Sequence, residues 1–223
     1  CSSLRGFLRF LFATRRLRHD LSDCVVAPRY RTDEGPPRSL PWEDIRRILR
    51  AVSRNRPVGM RDYTMLLLMA TYGLGSGEVV RLELSDVDWQ AGILRVRRRK
   101  TGVLLELPLL PAVAQALAAY LRRGRPSQTL THTIFVSLAL PHRPLTTSAI
   151  RHRIREYAGR AGVSAAKLGA HIFRHSHATR QIDAGAPFKI VGDILGHLRP
   201  ASTSVYVRVA LRRLRVVALP VPR

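Results

Sequence analysis

The run His171-Ile172-Phe173-Arg174-His175-Ser176-His177-Ala178-Thr179 sets a histidine and an arginine three residues apart, with a second histidine directly after them. On a helix that spacing brings His171, Arg174 and His175 to one face. At a helix start the backbone N–H groups without intrahelical partners add their own attraction for an anion. Downstream, Leu195-Gly196-His197 reads as the end of a helix that begins at Pro187, with Gly196 as its stop and His197 just beyond. Tyr206 follows nine residues after His197, within Ser202-Thr203-Ser204-Val205-Tyr206.

Upstream of this block, Ile93-Leu94-Arg95-Val96-Arg97 alternates as a half-buried strand, and Val103–Leu109 reads as its return partner. The turn between them, Arg98-Arg99-Lys100-Thr101-Gly102, carries one of only three lysines among 38 Lys+Arg residues. An ammonium differs from a guanidinium in that its pKa is tunable toward proton transfer, so a lysine at a hairpin tip in this arginine-rich chain stands out.

The chain has 223 residues, 15 Asp+Glu and a formal net charge of +23. Two readings of that excess stand side by side. Arginine binds phosphate bidentately, which makes a polyanion the default partner; GC-rich coding also favours arginine over lysine without any function. Hydrophobic residues make up 46% of the chain, enough for a folded core. The apolar run Met65–Ala70 is far short of a membrane span, so no membrane association is expected. Cys1 and Cys24 are too few for a disulfide framework and lack metal-ligand spacing, and a reduced cytoplasmic protein is expected. Because the sequence starts at Cys1, the chain is expected to be a fragment or a trimmed protein.

Residues 1–22 read as a helix with Leu4, Phe7, Leu8, Phe10, Leu11 and Phe12 on a broad apolar face. Residues 27–38, with three prolines and a glycine, read as a linker. Helices are expected from Ile45, over Met60–Tyr72, Gly77–Leu84, Ala112–Leu121, Thr146–Ala161, Phe173–Ala184, Pro187–Leu195 and Ala201–Tyr206, with a basic one at Ala210–Val217. The fold class is mainly α with a small antiparallel β-sheet.

Together Lys100, His171, Arg174, His197 and Tyr206 resemble, in order and surroundings, the catalytic set of the tyrosine recombinase (phage integrase) family, and the likeness covers roughly Ser39 to Val217. It implies the recombinase catalytic (DNA breaking-rejoining) fold over 39–223, a linker at 27–38, and in residues 1–26 the end of an N-terminal, SAM-like core-DNA-binding domain. It further implies that Tyr206 attacks a DNA phosphodiester and forms a 3′-phosphotyrosyl link, with no metal or other cofactor. In that scheme His171 handles protons, Lys100 protonates the 5′-oxygen, and Arg174 and His197 hold the non-bridging oxygens. The implied partner is double-stranded DNA, with a homotetramer at synapsis, in a bacterial, nucleoid-associated setting on a mobile element. Arg97, Arg98, Arg99 and His175 are assigned to DNA contact, with a solvated edge as the other reading for Arg95 and Arg97–Arg99.

One block departs. The family pattern Thr/Tyr-x-Gly-Leu-Arg-x-Ser/Gly-Glu appears as Thr71-Tyr72-Gly73-Leu74-Gly75-Ser76-Gly77-Glu78, so Gly75 stands where the first catalytic arginine is expected. Glu78, Leu82 and Asp86 keep the register, and Arg81 is not an evident substitute. Losing one donor to the transition state commonly costs about 10²–10³ in rate, so activity is in doubt; a catalytically inactive DNA-binding or regulatory relative is the alternative. A general RNA binder leaves the His171–Tyr206 spacing unexplained, and the two C-terminal blocks look more like a recombinase than a type IB topoisomerase.

Overall fold

The computed structural model describes residues 2–26, 39–98, 102–164, 168–169 and 171–195. The chain divides into two units, residues 1–35 and 36–223. In the first, α1 spans Ser2–Ala13 and ends well short of the expected residue 22. The Thr14 hydroxyl donates back to the Phe10 carbonyl at 2.9 Å, and Arg15 turns left-handed at φ 56°. A side-chain donor for the last carbonyls and a reversed φ together end a helix. The Arg5 guanidinium donates to the Val25 carbonyl at 2.8 Å and ties the returning strand of chain to α1.

The second unit is built around a helix that is apolar on nearly every side. Its elements are α2 (Trp42–Arg50), α3 (Pro57–Tyr72), α4 (Ser76–Val79), β1 (Val87–Asp88), β2 (Ile93–Arg97), β3 (Leu104–Pro108), α5 (Pro111–Arg123), α6 (Thr147–Arg160), α7 (Ile172–Asp183) and α8 (Phe188–Leu195). Pro57 and Pro111 open α3 and α5, where a fixed φ suits the first turn and the missing N–H costs nothing. Glu43 and Asp44 sit at the positive end of α2. The Thr146 hydroxyl caps α6 by accepting the Ala149 N–H at 3.2 Å. The expected helix over Gly77–Leu84 is instead the single turn α4 followed by a 3₁₀ turn at Leu84–Asp86.

Mainly helical architecture with one small antiparallel sheet is what the sequence patterns predict. The sheet has the order β1-β2-β3, pairing Val87 with Leu94 and Leu94 with Leu107. Two residues long, β1 is too short to show an alternation. The expected helices at 201–206 and 210–217, and the linker at 27–38, lie outside the described residues.

Buried Ile45 and Ile48 of α2, Leu66 and Met69 of α3, Leu117 and Tyr120 of α5, Ile150 and Ile154 of α6 and Phe173 of α7 form one core with the inner face of the sheet. Within it α3 carries Arg61 and Asp62 side by side, both buried. The Asp62 carboxylate accepts from Arg61 at 2.8 Å, pairs with Arg153 of α6 at 3.3 Å and accepts the Tyr157 hydroxyl at 2.9 Å. Arg61 also donates to the Val136 carbonyl at 3.1 Å. Burial, and after it the Asp62 charge, push the Tyr157 phenol up to about 12, so it stays a hydrogen-bond donor. A buried pair is a weak net stabiliser while complete and a large cost once broken. Asp62→Ala is therefore expected to lower the unfolding free energy by about 3–5 kcal/mol, measured by urea denaturation.

Candidate active site

Helix α3 ends at Gly73 with φ 63°, the left-handed conformation that glycine adopts without strain. A β-carbon there would also lie 2.8 Å from Cδ2 of His177 and 3.0 Å from Cδ2 of Leu195, so the close approach of α7 and α8 demands glycine a second time. After buried Leu74 the chain reaches Gly75, the residue that precedes α4. Glu78, in the first turn of α4, folds back and accepts the Gly75 N–H at 2.7 Å.

That carboxylate is the centre of the site. Its Oε2 accepts Nη1 of Arg174 at 3.1 Å, and its Oε1 accepts Nη1 of Arg98 at 2.9 Å. The same two guanidinium groups also donate to the main-chain carbonyl of Leu195, Arg98 through Nη1 at 2.7 Å and Arg174 through Nη2. Leu195 closes α8, and the last carbonyls of a helix lack intrahelical donors and carry its negative end. Four elements thus meet at one point: α4 through Glu78, the end of β2 through Arg98, α7 through Arg174 and α8 through Leu195. The three charged side chains are 6%, 12% and 14% exposed for Arg98, Glu78 and Arg174. Among the described residues, two guanidiniums against one carboxylate leave one positive charge in excess, in surroundings where water screens poorly. Burial pushes the Arg98 guanidinium below its ordinary range; the Glu78 charge opposes this and the Arg174 charge adds to it. A guanidinium nonetheless stays protonated in a protein.

The block His171–Thr179 folds as expected over its first half. His171 immediately precedes α7 and is exposed, Arg174 points into the Glu78 cluster, and His175 sits half-buried with its ring 6.2 Å from that of His171. Buried Ser176 accepts the Leu40 N–H at 2.8 Å, and the Arg180 guanidinium stacks 4.1 Å above the Trp42 ring, so α7 is fixed against the start of α2. His177 faces α3, where its Nδ1–H donates to the Ala70 carbonyl at 3.0 Å. Burial pushes this imidazole below its ordinary 6.5. Lys100, Arg99, His197 and Tyr206 lie outside the described residues.

Arg98 is not on a solvated edge. It is 5% exposed, whereas Arg97 faces solvent and Arg95 pairs on the outer sheet face with Asp88 at 3.1 Å and Glu106 at 3.2 Å. The alternation of β2 holds the clue: Leu94 and Val96 are buried, and one further step of two reaches Arg98. Arg81 is exposed and takes no part in the Glu78 cluster. At Gly75, φ −77° and ψ 154° suit any residue. A β-carbon built there lies 3.4 Å from Nη1 of Arg174 and 3.5 Å from Oε2 of Glu78, ordinary contact distances. Position 75 thus faces the cluster, and nothing in the backbone demands glycine.

The family model for the phage integrase family matches residues 38–213, which contain the whole cluster. The chain belongs to the phage integrase family. This integrase-family chain is 42% identical to the putative integrase/recombinase y4gC of Sinorhizobium fredii over 83% of its length and 96% of the relative's. Two further putative integrase/recombinases of S. fredii, y4rA and y4rF, are matched over 99% of this chain, which spans about half of them, 54% and 52%. Among solved structures, XerA recombinase is similar with a TM-score of 0.69 and 26% identity, covering 98% of this chain and 75% of that one. XerH site-specific recombinase, bound to a palindromic difH substrate after cleavage, shares the fold with a TM-score of 0.73 at 18% identity, over 84% and 54% of the two chains. The fold is the tyrosine recombinase catalytic fold.

Two outcomes follow for this integrase-family site. Glu78→Ala leaves two nearly buried guanidiniums without a counter-charge, and a loss of about 3–5 kcal/mol is expected in chemical denaturation. His177 is neutral in the fold, and its pKa there is lower than in the unfolded chain, so its contribution is fully present above about 6.5 and is lost as pH falls through the folded value. The melting temperature is expected to drop from pH 7 to pH 5, and His177→Asn, whose amide can donate to Ala70 in place of Nδ1–H, is expected to flatten that drop.

Proposed function

We propose that this chain is a site-specific DNA recombinase that cleaves through Tyr206. The observation that carries the proposal is the Arg174 guanidinium, fixed between the Glu78 carboxylate and the Leu195 carbonyl, on the helix whose start also brings His171 and His175 together. A guanidinium held in one orientation suits the non-bridging oxygens of a phosphodiester, since its forked donors match them and its charge does not vary with pH.

In the proposed step the Tyr206 oxygen attacks phosphorus, the phenolic proton passes to His171, and the bond to the 5′-oxygen breaks. Lys100 gives that oxygen its proton, so a free 5′-hydroxyl and a 3′-phosphotyrosyl link result. Phenol is a weak nucleophile near neutrality and needs such a base and a site that favours phenolate. Arg174 and His197 stabilise the charge on the pentacovalent phosphorus. The phosphoester is conserved in the phosphotyrosine, so strand joining by the reverse attack needs neither ATP nor a metal. Arg97, Arg99 and His175 are assigned to DNA contact, residues 39–223 to the catalytic domain, and residues 1–26 to the end of a preceding DNA-clamping domain. The working assembly is a homotetramer on double-stranded DNA in the bacterial cytoplasm.

A second reading is a relative that binds DNA without cutting it, and Gly75 favours it. The two separate in one assay. With a nicked suicide substrate the unmodified chain is expected to form a covalent DNA adduct that Tyr206→Phe abolishes; binding without any adduct would select the second reading. Under both, log affinity is expected to fall with log salt by about 0.9 for each phosphate neutralised, checked by titration at several salt concentrations.

A further inference from the structure

We infer that Arg98 supplies the second guanidinium of the phosphate site, taking from the end of β2 the role for which a side chain at position 75 would be expected on α4. The inference rests on the recombinase reading and deepens it.

Two facts of placement carry it. Arg98 and Arg174 both donate to the Glu78 carboxylate and to the Leu195 carbonyl, so the two guanidiniums lie side by side. The Cα–Cβ direction at Gly75 points into the same cluster, at Nη1 of Arg174 and Oε2 of Glu78. An arginine there would compete with Arg98 for one carboxylate and add a third cation. With glycine at 75, the cluster instead holds two cations and one anion.

The backbone around Arg98 is suited to a fixed donor. Its N–H donates to the Val103 carbonyl at 2.9 Å, one step beyond the Arg97–Leu104 pair, and its own carbonyl accepts the Gly102 N–H at 2.8 Å, so its main chain is held through both groups. A guanidinium on a strand end is held more rigidly than one on a loop, and a donor fixed before the reaction needs no reorganisation in the transition state. Like charges placed together under poor screening are unfavourable by themselves, and one phosphodiester charge neutralises the pocket's excess. That is the balance expected of a site complementary to a phosphate and not of a structural ion pair.

Arg98→Met is expected to lower the rate of Tyr206-dependent adduct formation by about 10²–10³-fold. On a substrate with an uncharged methylphosphonate at the scissile position, the deficit is expected to shrink to less than about tenfold, since the charge that Arg98 neutralises is gone. Gly75→Arg added to Arg98→Met is expected to recover most of the rate. Arg98→Lys retains a charge for Glu78 but loses the fork, and serves with the melting temperature where Arg98→Met folds poorly; it is expected to melt as the unmodified chain does and still cleave slowly.

A deficit of the same size on both substrates would assign Arg98 to scaffolding and overturn the inference, as would Arg98→Met and Arg98→Lys both cleaving within a few-fold of the unmodified chain. If the unmodified chain forms no adduct and Gly75→Arg does, the inference falls while the recombinase reading stands. If neither forms one, both fall.

Discussion

The Glu78 carboxylate is the group on which the rest of the site depends. It accepts from the main chain just before its own helix, from the arginine directly after β2 and from one on α7. No two of the four groups involved are near one another in sequence apart from Gly75 and Glu78, so the cluster exists only when the sheet, α4, α7 and α8 have all docked. Desolvating two guanidiniums costs a great deal unless an anion and a carbonyl meet them. The same contacts that orient the two arginines therefore also make correct docking of the four elements a condition of stability.

Asp62 repeats the device at the other buried charge cluster. It serves Arg61, Arg153 and the Tyr157 hydroxyl inside the helical core, as Glu78 serves Arg98 and Arg174 in the site. With 38 basic residues against 15 acidic ones, the acids are scarce, and these two carboxylates, 0% and 12% exposed, are each shared by two cations. Most of the basic excess is left to the surface, where repulsion among solvated charges is screened and a polyanion is attracted. The sharing at Glu78 differs from that at Asp62 in one respect. Around Asp62 the second cation, Arg153, has a further carboxylate in Glu156, while around Glu78 two cations face one carboxylate among the described residues.

Much of the fold was legible because its patterns are local. The alternation in Ile93–Arg97, the proline at the start of α3, the glycine at its end and the cap at Thr146 each depend on a few neighbouring residues, and each element lies within a few residues of where the pattern put it. The run to residue 22 failed as a helix because apolar spacing continues past Thr14, whereas the chain reverses at Arg15. Strand β1 offers two residues, too few for a period. In the site, Arg174, His171 and His175 were visible from i and i+3 spacing. Arg98 was grouped with three neighbouring arginines because burial is not written in residue type, although the inward period of β2 points to it.

By itself the sequence determined the class of fold, the family and the order of the chemical groups along the chain, since these follow from periodicity, caps and short motifs that act over a turn or a strand. It also determined that position 75 has no side chain. What the tertiary structure alone decided is which of the 35 arginines stands beside Arg174. Arg98 and Arg174 are 76 residues apart in sequence, and their pairing is set by where β2 and α7 are packed around the core and by the carboxylate that both reach. Electrostatic partnership of that kind depends on distance and screening through space, and neither is encoded in any local run of residues.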